Sequence, residues 1–310
     1  MRMQSRSRGT RELCRLLGFS TQAYYKYQGF QTKLAQQEDL VIQQVLHHRI
    51  LQPRIGGCKL HEMIGPFMHA HNIAIGRDVF LDLLRENNLL LVRRKRKQPL
   101  TTDSNHWMKK YPDLIRGISL TSANQLWVSD ITYIHLSGSK FGYLSLITDA
   151  YSRKIVGYCM NIGLSASGPV EALKMALEGR TGAAPLIHHS DRGSQYCSDA
   201  YISLLKLNTI DISMTQSGNP RDNAIAERVN GILKQELLEE VYPGINRART
   251  AAAIAIGIYN RVRPHSSVDM MTPDTAHTQT GPIKRRWKNA FRPNKQVLEN
   301  TSFKQKREVM

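Results

Sequence analysis

Three consecutive strand-like runs between residues 126 and 161 restrict the possible folds of this chain more than any other feature. The runs LWVSDITYIHL, FGYLSLITDAYS and KIVGYCMNI are rich in Val, Ile, Tyr and Thr, the residues that favour strands. Only short Gly-Ser-Lys and Ser-Arg turns separate them. The pattern therefore predicts an antiparallel meander of three strands.

After the meander, predicted helices and strands alternate. A helix is predicted over 169–179, a strand in PLIHHS, a helix over 199–207, a strand in IDISM, and a long helix from about Ala224. Three strands followed by this alternation is the order of the ribonuclease-H-like fold, in which helices cover both faces of a mixed five-stranded sheet. We therefore predict an α/β core of this class over residues 120–281.

The residues before this core are predicted to form all-α helix-turn-helix modules. Residues 10–29 indicate two short helices that break at Gly18-Phe19-Ser20, where Ser20 can cap the second helix. This pattern predicts a helix-turn-helix within residues 1–34, although a purely structural helical hairpin has the same pattern.

A second helical DNA-binding module is predicted over residues 35–98. It starts with a separate helix from about Glu38 to Gln52 and continues with a two-helix pattern over 57–90, before the basic run VRRKRKQP. The remaining segments are predicted as a linker over 99–119 and a basic C-terminal tail over 282–310.

The charge of the chain points to a polyanionic partner, most simply nucleic acid, because it is +18 in 310 residues. Residues 1–110 carry 19 Lys and Arg against 8 Asp and Glu, residues 111–240 carry 11 against 13, and residues 241–310 carry 13 against 4. A slightly acidic centre between two basic arms predicts a carboxylate-bearing core with DNA-binding flanks. The five cations of the basic run are expected to contact DNA phosphates, with a solvated linker as the alternative: Arg93, Arg94, Lys95, Arg96 and Lys97.

Two aspartates lie at positions that suit a shared site. Asp130 is inside a run that is apolar on both sides, so its strand should be central in the sheet. An unpaired carboxylate there is costly or protonates, and a bound cation removes the penalty. Asp191 follows PLIHHS, where a strand gives way to a loop, and ligand crevices of open α/β sheets form at such points.

A glutamate on the last predicted helix can complete this site. The helix begins near Ala224, so Glu227 is about one turn inside it. Its apolar face consists of Ile225, Val229, Ile232 and Leu233, and another face carries Asn223, Glu227, Gly231 and Lys234. If the apolar face packs on the sheet, Glu227 points at the two aspartates, with Lys234 two turns along the same stripe.

Three such carboxylates can hold two Mg²⁺ or Mn²⁺ ions about 3.5–4 Å apart, one activating the attacking oxygen and one stabilising the leaving oxygen. Hard carboxylate oxygens suit these cations. Any one of the three alone is more often an ordinary exposed side chain. Asp149, ahead of Ala-Tyr-Ser-Arg, is predicted to organise a turn instead.

Four segments carry a resemblance to a known family. WVSDITYI, HHSDRGSQY, NPRDNAIAERVNGILKQEL and YNRVRPHSSVDMMTP resemble the OrfB-type transposases of the IS-three family of bacterial insertion sequences, which are related to retroviral integrases. Asp191 follows Asp130 by 61 positions and Glu227 follows by 36 more, which is the spacing of that family. The resemblance covers nearly the whole chain and is weaker in the first 30 residues.

The resemblance implies that Asp130, Asp191 and Glu227 are the metal ligands of a DNA transposase. It implies a DNA contact for Lys234, and DNA contacts are also expected for Asn223, Arg228 and His265. Family members usually act as a fusion with an upstream OrfA product that supplies a leucine zipper, whereas this chain has no sustained heptad repeat.

The expected reaction is hydrolysis of a phosphodiester at an element end, followed by attack of the freed 3′-hydroxyl on a second phosphodiester. A plain ribonuclease-H-type nuclease and a non-catalytic DNA-binding repressor are the alternatives. The expected partners are double-stranded DNA, further copies of the chain and a possible OrfA product. No apolar run is long enough to cross a bilayer, so we expect a cytoplasmic, nucleoid-associated protein.

Overall fold

A computed structural model describes residues 9–91, 107–182, 184–216 and 223–286 of the chain. The predicted phosphate contacts Arg93, Arg94, Lys95, Arg96 and Lys97 lie outside these residues, as do part of the predicted linker and most of the predicted basic tail.

The core contains one mixed five-stranded sheet in the order β3-β2-β1-β4-β5. Its strands are β1 (Leu126–Leu136), β2 (Lys140–Asp149), β3 (Ile155–Asn161), β4 (Ile187–Ser190) and β5 (Asp211–Met214). The first three pair antiparallel, whereas β4 pairs parallel with both β1 and β5. The predicted meander and the mixed ribonuclease-H-like sheet are confirmed, and β1 is the central strand.

Helices cover both faces of this sheet, as predicted. They are α5 (Ser167–Glu178), α6 (Ser194–Cys197), α7 (Asp199–Leu207), α8 (Ala224–Ile232), α9 (Ile245–Arg261) and α10 (Pro273–His277). A π-helical turn (Leu233–Leu237) extends α8, and a 3₁₀ turn (Ser266–Val268) precedes α10. The sequence predicted α5, α7 and the start of α8, but neither α9 nor α10.

Two apolar clusters lie on opposite sides of the sheet because side chains alternate along a strand. On one side α5 and α7 pack on Trp127 and Ile147, and on the other α8 and α9 pack on Ile134 and Leu146. Helix α5 approaches β3 so closely that a Cβ on Gly157 would lie 2.1 Å from the backbone oxygen of Ala172. Only glycine fits at that position without displacing the helix.

Four helices precede the core: α1 (Thr10–Leu16), α2 (Thr21–Leu51), α3 (Gly57–Ala70) and α4 (Arg77–Glu86). The break between α1 and α2 lies where it was predicted, and Ser20 caps α2 by accepting a hydrogen bond from the amide of Ala23. The two-helix pattern of α3 and α4 is also confirmed.

The prediction of a separate helix starting near Glu38 is wrong, because α2 is continuous over 31 residues. Between its two predicted parts the only weak helix former is Gly29, and one glycine costs a helix only about 1 kcal/mol. The predicted module boundary between residues 34 and 35 therefore falls inside a helix. None of the described helices combines the length and the apolar character that crossing a membrane requires.

Candidate active site

Asp130 lies on β1 with its side chain on the sheet face that α8 covers. Residues 130, 132 and 134 share one face because side chains alternate, and Ile134 packs in the cluster that contains Val229 and Ile232 of α8. One oxygen of Asp130 accepts a hydrogen bond from its neighbouring amide, that of Ile131, at 2.9 Å. The carboxylate is thus held at the junction of the central strand and the helix that carries Glu227.

The parallel pairing of β1 with β4 sets Asp191 beside Asp130. Val128 pairs with His189. Asp130 follows Val128 by two residues, and Asp191 follows His189 by two residues. Continuing the same register brings Asp130 level with Asp191 on neighbouring strands, which are about 4.8 Å apart in a sheet. One oxygen of Asp191 accepts the amide of Gly193 at 3.0 Å, so the loop after β4 folds back on this carboxylate.

The surroundings of Asp130 favour the protonated form of its carboxyl group. Burial raises the pKa of Asp130 to about 7, and the negative charge of Asp191 adds to the rise. Hydrogen bonds from Ile131 and Asn230 lower the pKa of Asp130 in part. The charge of Glu227 raises that pKa, but by the smallest amount. Like charges beside a poorly solvated carboxylate favour its protonated form, and a bound cation has the opposite effect.

Glu227 is one turn inside α8, as predicted, and its side chain is exposed. Over residues 9–91, 107–182, 184–216 and 223–286, no three His, Cys, Asp or Glu side chains lie close enough together to hold a metal ion. Asp191 raises the pKa of Asp130 more than Glu227 does, and the side chain of Glu227 is exposed.

Asn230 is a site residue that the sequence analysis missed. Its side-chain amide donates a 2.6 Å hydrogen bond to Asp130, and its own side-chain oxygen is buried without a hydrogen-bond partner among the described residues. Its position three residues after Glu227 could have indicated this role, because that spacing puts both side chains on one side of the helix.

Lys234 lies next to the same face of β1, as the helical stripe predicted. Its ammonium donates to the hydroxyl of Thr132 at 3.1 Å, and Thr132 is two residues along the strand from Asp130. Burial lowers the pKa of Lys234, and the charge of Asp130 opposes that effect. Lys234 belongs to the π-helical turn, not to the regular helix that was predicted.

The other predicted DNA contacts divide into exposed and buried side chains. Arg228 is exposed on α8 beside Glu227. Asn223 is buried and its amide donates to the backbone oxygen of Ser129, so it ties α8 to β1. His265 is also buried, and it bonds to the guanidinium of Arg263. The DNA contacts of Asn223 and His265 stay predictions, and in this structure both side chains are hydrogen-bonded within the protein.

Comparison with known proteins identifies the family of the chain. The integrase core domain matches residues 121–220, and a second integrase core domain model matches residues 208–273. A 31 kDa protein of insertion element IS600 from Shigella sonnei is 34% identical over 267 residues, which are 84% of this chain and 96% of that protein. The chain belongs to the IS3-type transposases of the DDE superfamily. As an enzyme, this transposase is a polynucleotidyl transferase.

Other relatives match a smaller part of the transposase. Transposase InsF for insertion sequence IS3A of Escherichia coli K12 is 35% identical over 154 residues, 49% of this chain and 53% of that protein. Among solved structures, a chain of the simian T-cell lymphotropic virus intasome, in complex with PP2A regulatory subunit B56 gamma, aligns over 77% of this chain and 81% of its own length. Its sequence identity is 18% and its TM-score is 0.45.

A buried polar network of the transposase joins β1 to β4, the strand that Asp191 follows. Nε2 of His188 on β4 hydrogen-bonds with the hydroxyls of Ser129 at 2.6 Å and Tyr201 at 2.8 Å. Burial lowers the pKa of His188 to about 3, and the neighbouring His189 lowers it further. The imidazole is therefore neutral, and it ties β1 and α7 to β4 without a buried charge.

Proposed function

We propose that the transposase cleaves DNA at the ends of an insertion sequence and joins the freed 3′-hydroxyl to a second DNA by in-line phosphodiester transfer. The observation that carries this proposal is the parallel register that sets Asp130 level with Asp191 under the helix of Glu227. Neighbouring carboxylates on a central strand and an adjacent strand end are a suitable support for divalent cations.

The chemistry of the residues at this place suits Mg²⁺ or Mn²⁺, and we propose that they hold two such ions. The donor set is oxygen throughout: the carboxylates of Asp130, Asp191 and Glu227, which we propose as the ligands. The raised pKa of Asp130 and the unpartnered side-chain oxygen of Asn230 are both features that a cation would relieve. When bound, the ions would supply an activated attacking oxygen and a stabilised leaving oxygen.

The chain's own groups would bind and orient the DNA around these carboxylates. Asn230 fixes one oxygen of Asp130, so the other keeps a defined direction. Lys234, held beside the strand by Thr132, is suited to contact a phosphate next to the scissile bond without a proton transfer. Arg228, exposed next to Glu227, is suited to a second phosphate contact.

The proposed partners are double-stranded DNA at element ends and at the target, and further copies of the chain on that DNA. An upstream OrfA product is a further proposed partner. DNA binding is supported by the +18 charge of the chain, most of which lies outside the core. A cytoplasmic, nucleoid-associated location follows from such a partner.

A metal-dependent assay on DNA carrying the element ends tests this function against its alternatives. Joined products are expected with Mg²⁺ or Mn²⁺ and none with a chelator. Hydrolysis without joining would indicate a nuclease, and DNA that is shifted but uncut would indicate a repressor.

Metal binding is expected to be weaker at low pH. The proposed site needs an ionised Asp130, whose pKa is raised from 3.8 to about 7. The metal-free protein should therefore lose stability as the pH rises from about 4 to 7, since only its folded form keeps the proton. Mg²⁺ should bind about tenfold more weakly at pH 6 than at pH 8 and release a proton at pH 6.

Calorimetric titration with Mg²⁺ in buffers of different ionisation enthalpy measures both quantities. Asp130→Asn is the control and should remove the proton release. Equal affinity and no proton release at the two pH values would contradict the assignment of Asp130 as a ligand.

Lys234→Ala is expected to weaken end-DNA binding and joining by roughly 1–3 kcal/mol, because one charged contact is lost. The slope of the logarithm of the DNA-binding constant against the logarithm of the salt concentration should become shallower by about one unit. The affinity for Mg²⁺ should not change. The matched control is Lys206→Ala, which removes an exposed lysine of α7. Equal and negligible effects of the two substitutions in a salt titration would make Lys234 ordinary surface charge.

A further inference from the structure

The helix that carries Glu227 does not end as a regular α-helix. After Ile232 it continues as a π-helical turn, in which the amide of Leu238 donates to the oxygen of Leu233 at 2.8 Å, five residues back. Such turns hold one residue more than an α-helical turn, are rare, and occur frequently at functional sites. Something outside the helix must therefore favour this geometry.

A buried ion pair holds the π-helical turn from the segment that follows α9. Glu236, in the turn, accepts two hydrogen bonds from Arg263, from Nε at 2.8 Å and from Nη2 at 2.8 Å. Arg263 is only 1% exposed. A two-bond pairing of this kind fixes direction as well as distance, because the guanidinium is planar and rigid.

The remaining nitrogen of Arg263 is also directed by the protein. Nη1 donates to Nε2 of His265 at 2.9 Å and to the oxygen of Pro264 at 3.3 Å. Burial, with the charge of Arg263, holds the pKa of His265 well below its usual value, so the ring is neutral and accepts. The ring of His265 packs edge-on against Tyr259, with centroids 4.7 Å apart. These contacts fix the orientation of the guanidinium independently of Glu236.

The same turn presents Lys234 to the site. Lys234 precedes Glu236 by two residues and reaches Thr132 on the strand of Asp130. One turn therefore has an anchor just after α9 at one side and a cation beside the proposed metal site at the other. Successive side chains are rotated by about 100° in a regular α-helix and by less in a π-helical turn, so the relative direction of Lys234 and Glu236 depends on the turn.

We propose that Arg263 is a positioning residue that holds the π-helical turn through Glu236 and so fixes Lys234 beside Asp130. The importance of Lys234 for DNA rests on the proposed function, but its placement by Arg263 does not. Without the bidentate pair the turn relaxes towards α-helical geometry, and the ammonium of Lys234 leaves Thr132 for solvent.

The test uses the full chain with Arg263→Lys, which keeps the charge but not the two-bond fork. Arg261→Lys is the matched control, because Arg261 is exposed two residues earlier on α9. A second variant, Glu236→Gln, removes the ion pair from the other side and serves if Arg263→Lys does not fold. Folding of each variant is checked by thermal unfolding.

The first readout is the rate at which an amine-reactive acetylating reagent modifies Lys234, followed by peptide mass spectrometry. Arg263→Lys and Glu236→Gln should each raise this rate by at least about fivefold, because the turn opens locally, and Arg261→Lys should not. An unchanged rate in the folded variants would overturn the proposal, whatever the effect on DNA.

The second readout is a double-mutant cycle on joining. The loss caused by Lys234→Ala should shrink to less than about twofold in the Arg263→Lys background, since coupled residues are not additive. If the losses caused by the two substitutions multiply instead, Arg263 supports the fold without positioning Lys234, and the proposal is overturned. If Lys234→Ala has no effect in the otherwise unchanged chain, its DNA role is wrong, and the acetylation rate alone decides the role of Arg263.

Discussion

Asp130→Asn, Asp191→Asn and Glu227→Gln are each expected to reduce cleavage and joining more than about a hundredfold. Even the mutation of a residue that only contacts a metal ligand lowers metal affinity or activity about 10- to 100-fold. Each substitution keeps the size of the side chain and removes one charged oxygen ligand. DNA affinity should stay within about twofold, because no basic group is lost. Gel assays of cleavage and joining, beside a binding titration at the same salt concentration, measure both effects.

The expected losses differ in their origin. Asn at 130 or 191 should also weaken Mg²⁺ binding in the absence of DNA, since the register of β1 and β4 sets these two carboxylates side by side. Gln at 227 should weaken it less, because the side chain of Glu227 is exposed and has the smallest effect on Asp130. Retention of more than a few per cent of joining by one variant would remove that residue from the site.

Asp149→Ala is expected to lower the free energy of unfolding by about 4 kcal/mol, which corresponds to a melting temperature lower by roughly 10 °C. The side chain of Asp149 is fully buried. It accepts the amides of Asn124 at 2.7 Å and Ser152 at 2.8 Å, as well as the hydroxyl of Ser152 at 2.8 Å. Alanine leaves the amides of Asn124 and Ser152 without this acceptor, while the Ser152 hydroxyl keeps its contact with His277, and calorimetry or thermal unfolding measures the cost.

Asp149 provides a useful contrast to Asp130 and Asp191, the proposed ligands. The Asp149→Ala protein that remains folded at low temperature should still join DNA, because Asp149 organises the turn between β2 and β3. Asp211→Asn, at an exposed position of β5, is the control and should change stability by no more than about 0.5 kcal/mol. Loss of joining from fully folded Asp149→Ala protein would assign Asp149 to the chemistry instead.

The sheet and two of the three proposed ligands were predictable because their causes are local. Runs of β-branched residues formed β1 to β3, and the 61-residue spacing of the two aspartates equals the register offset between Val128 and His189. A strand that is apolar on both sides was correctly expected to be central.

The features that the sequence did not reveal have causes far away in the chain. Helix α9 buries small side chains, Ala248, Ala252 and Ala255, so its apolar stripe is weak. The π-helical turn depends on Arg263, 27 residues after Glu236. His265 is buried, and its ring hydrogen-bonds to the guanidinium of Arg263, two residues earlier.

Strand β1, which carries Asp130, and strand β4, which Asp191 follows, are joined by a backbone hydrogen-bond ladder, whereas α8 is attached to the sheet by side chains. Moving the two strands apart would break ladder bonds, so the spacing at their ends is mechanically stiff. A helix that rests on side chains shifts or rotates by small amounts at much lower cost. The proposed site therefore combines two carboxylates at a preset spacing with a third on a more adjustable support, and we expect metal binding to shift α8 more than the sheet.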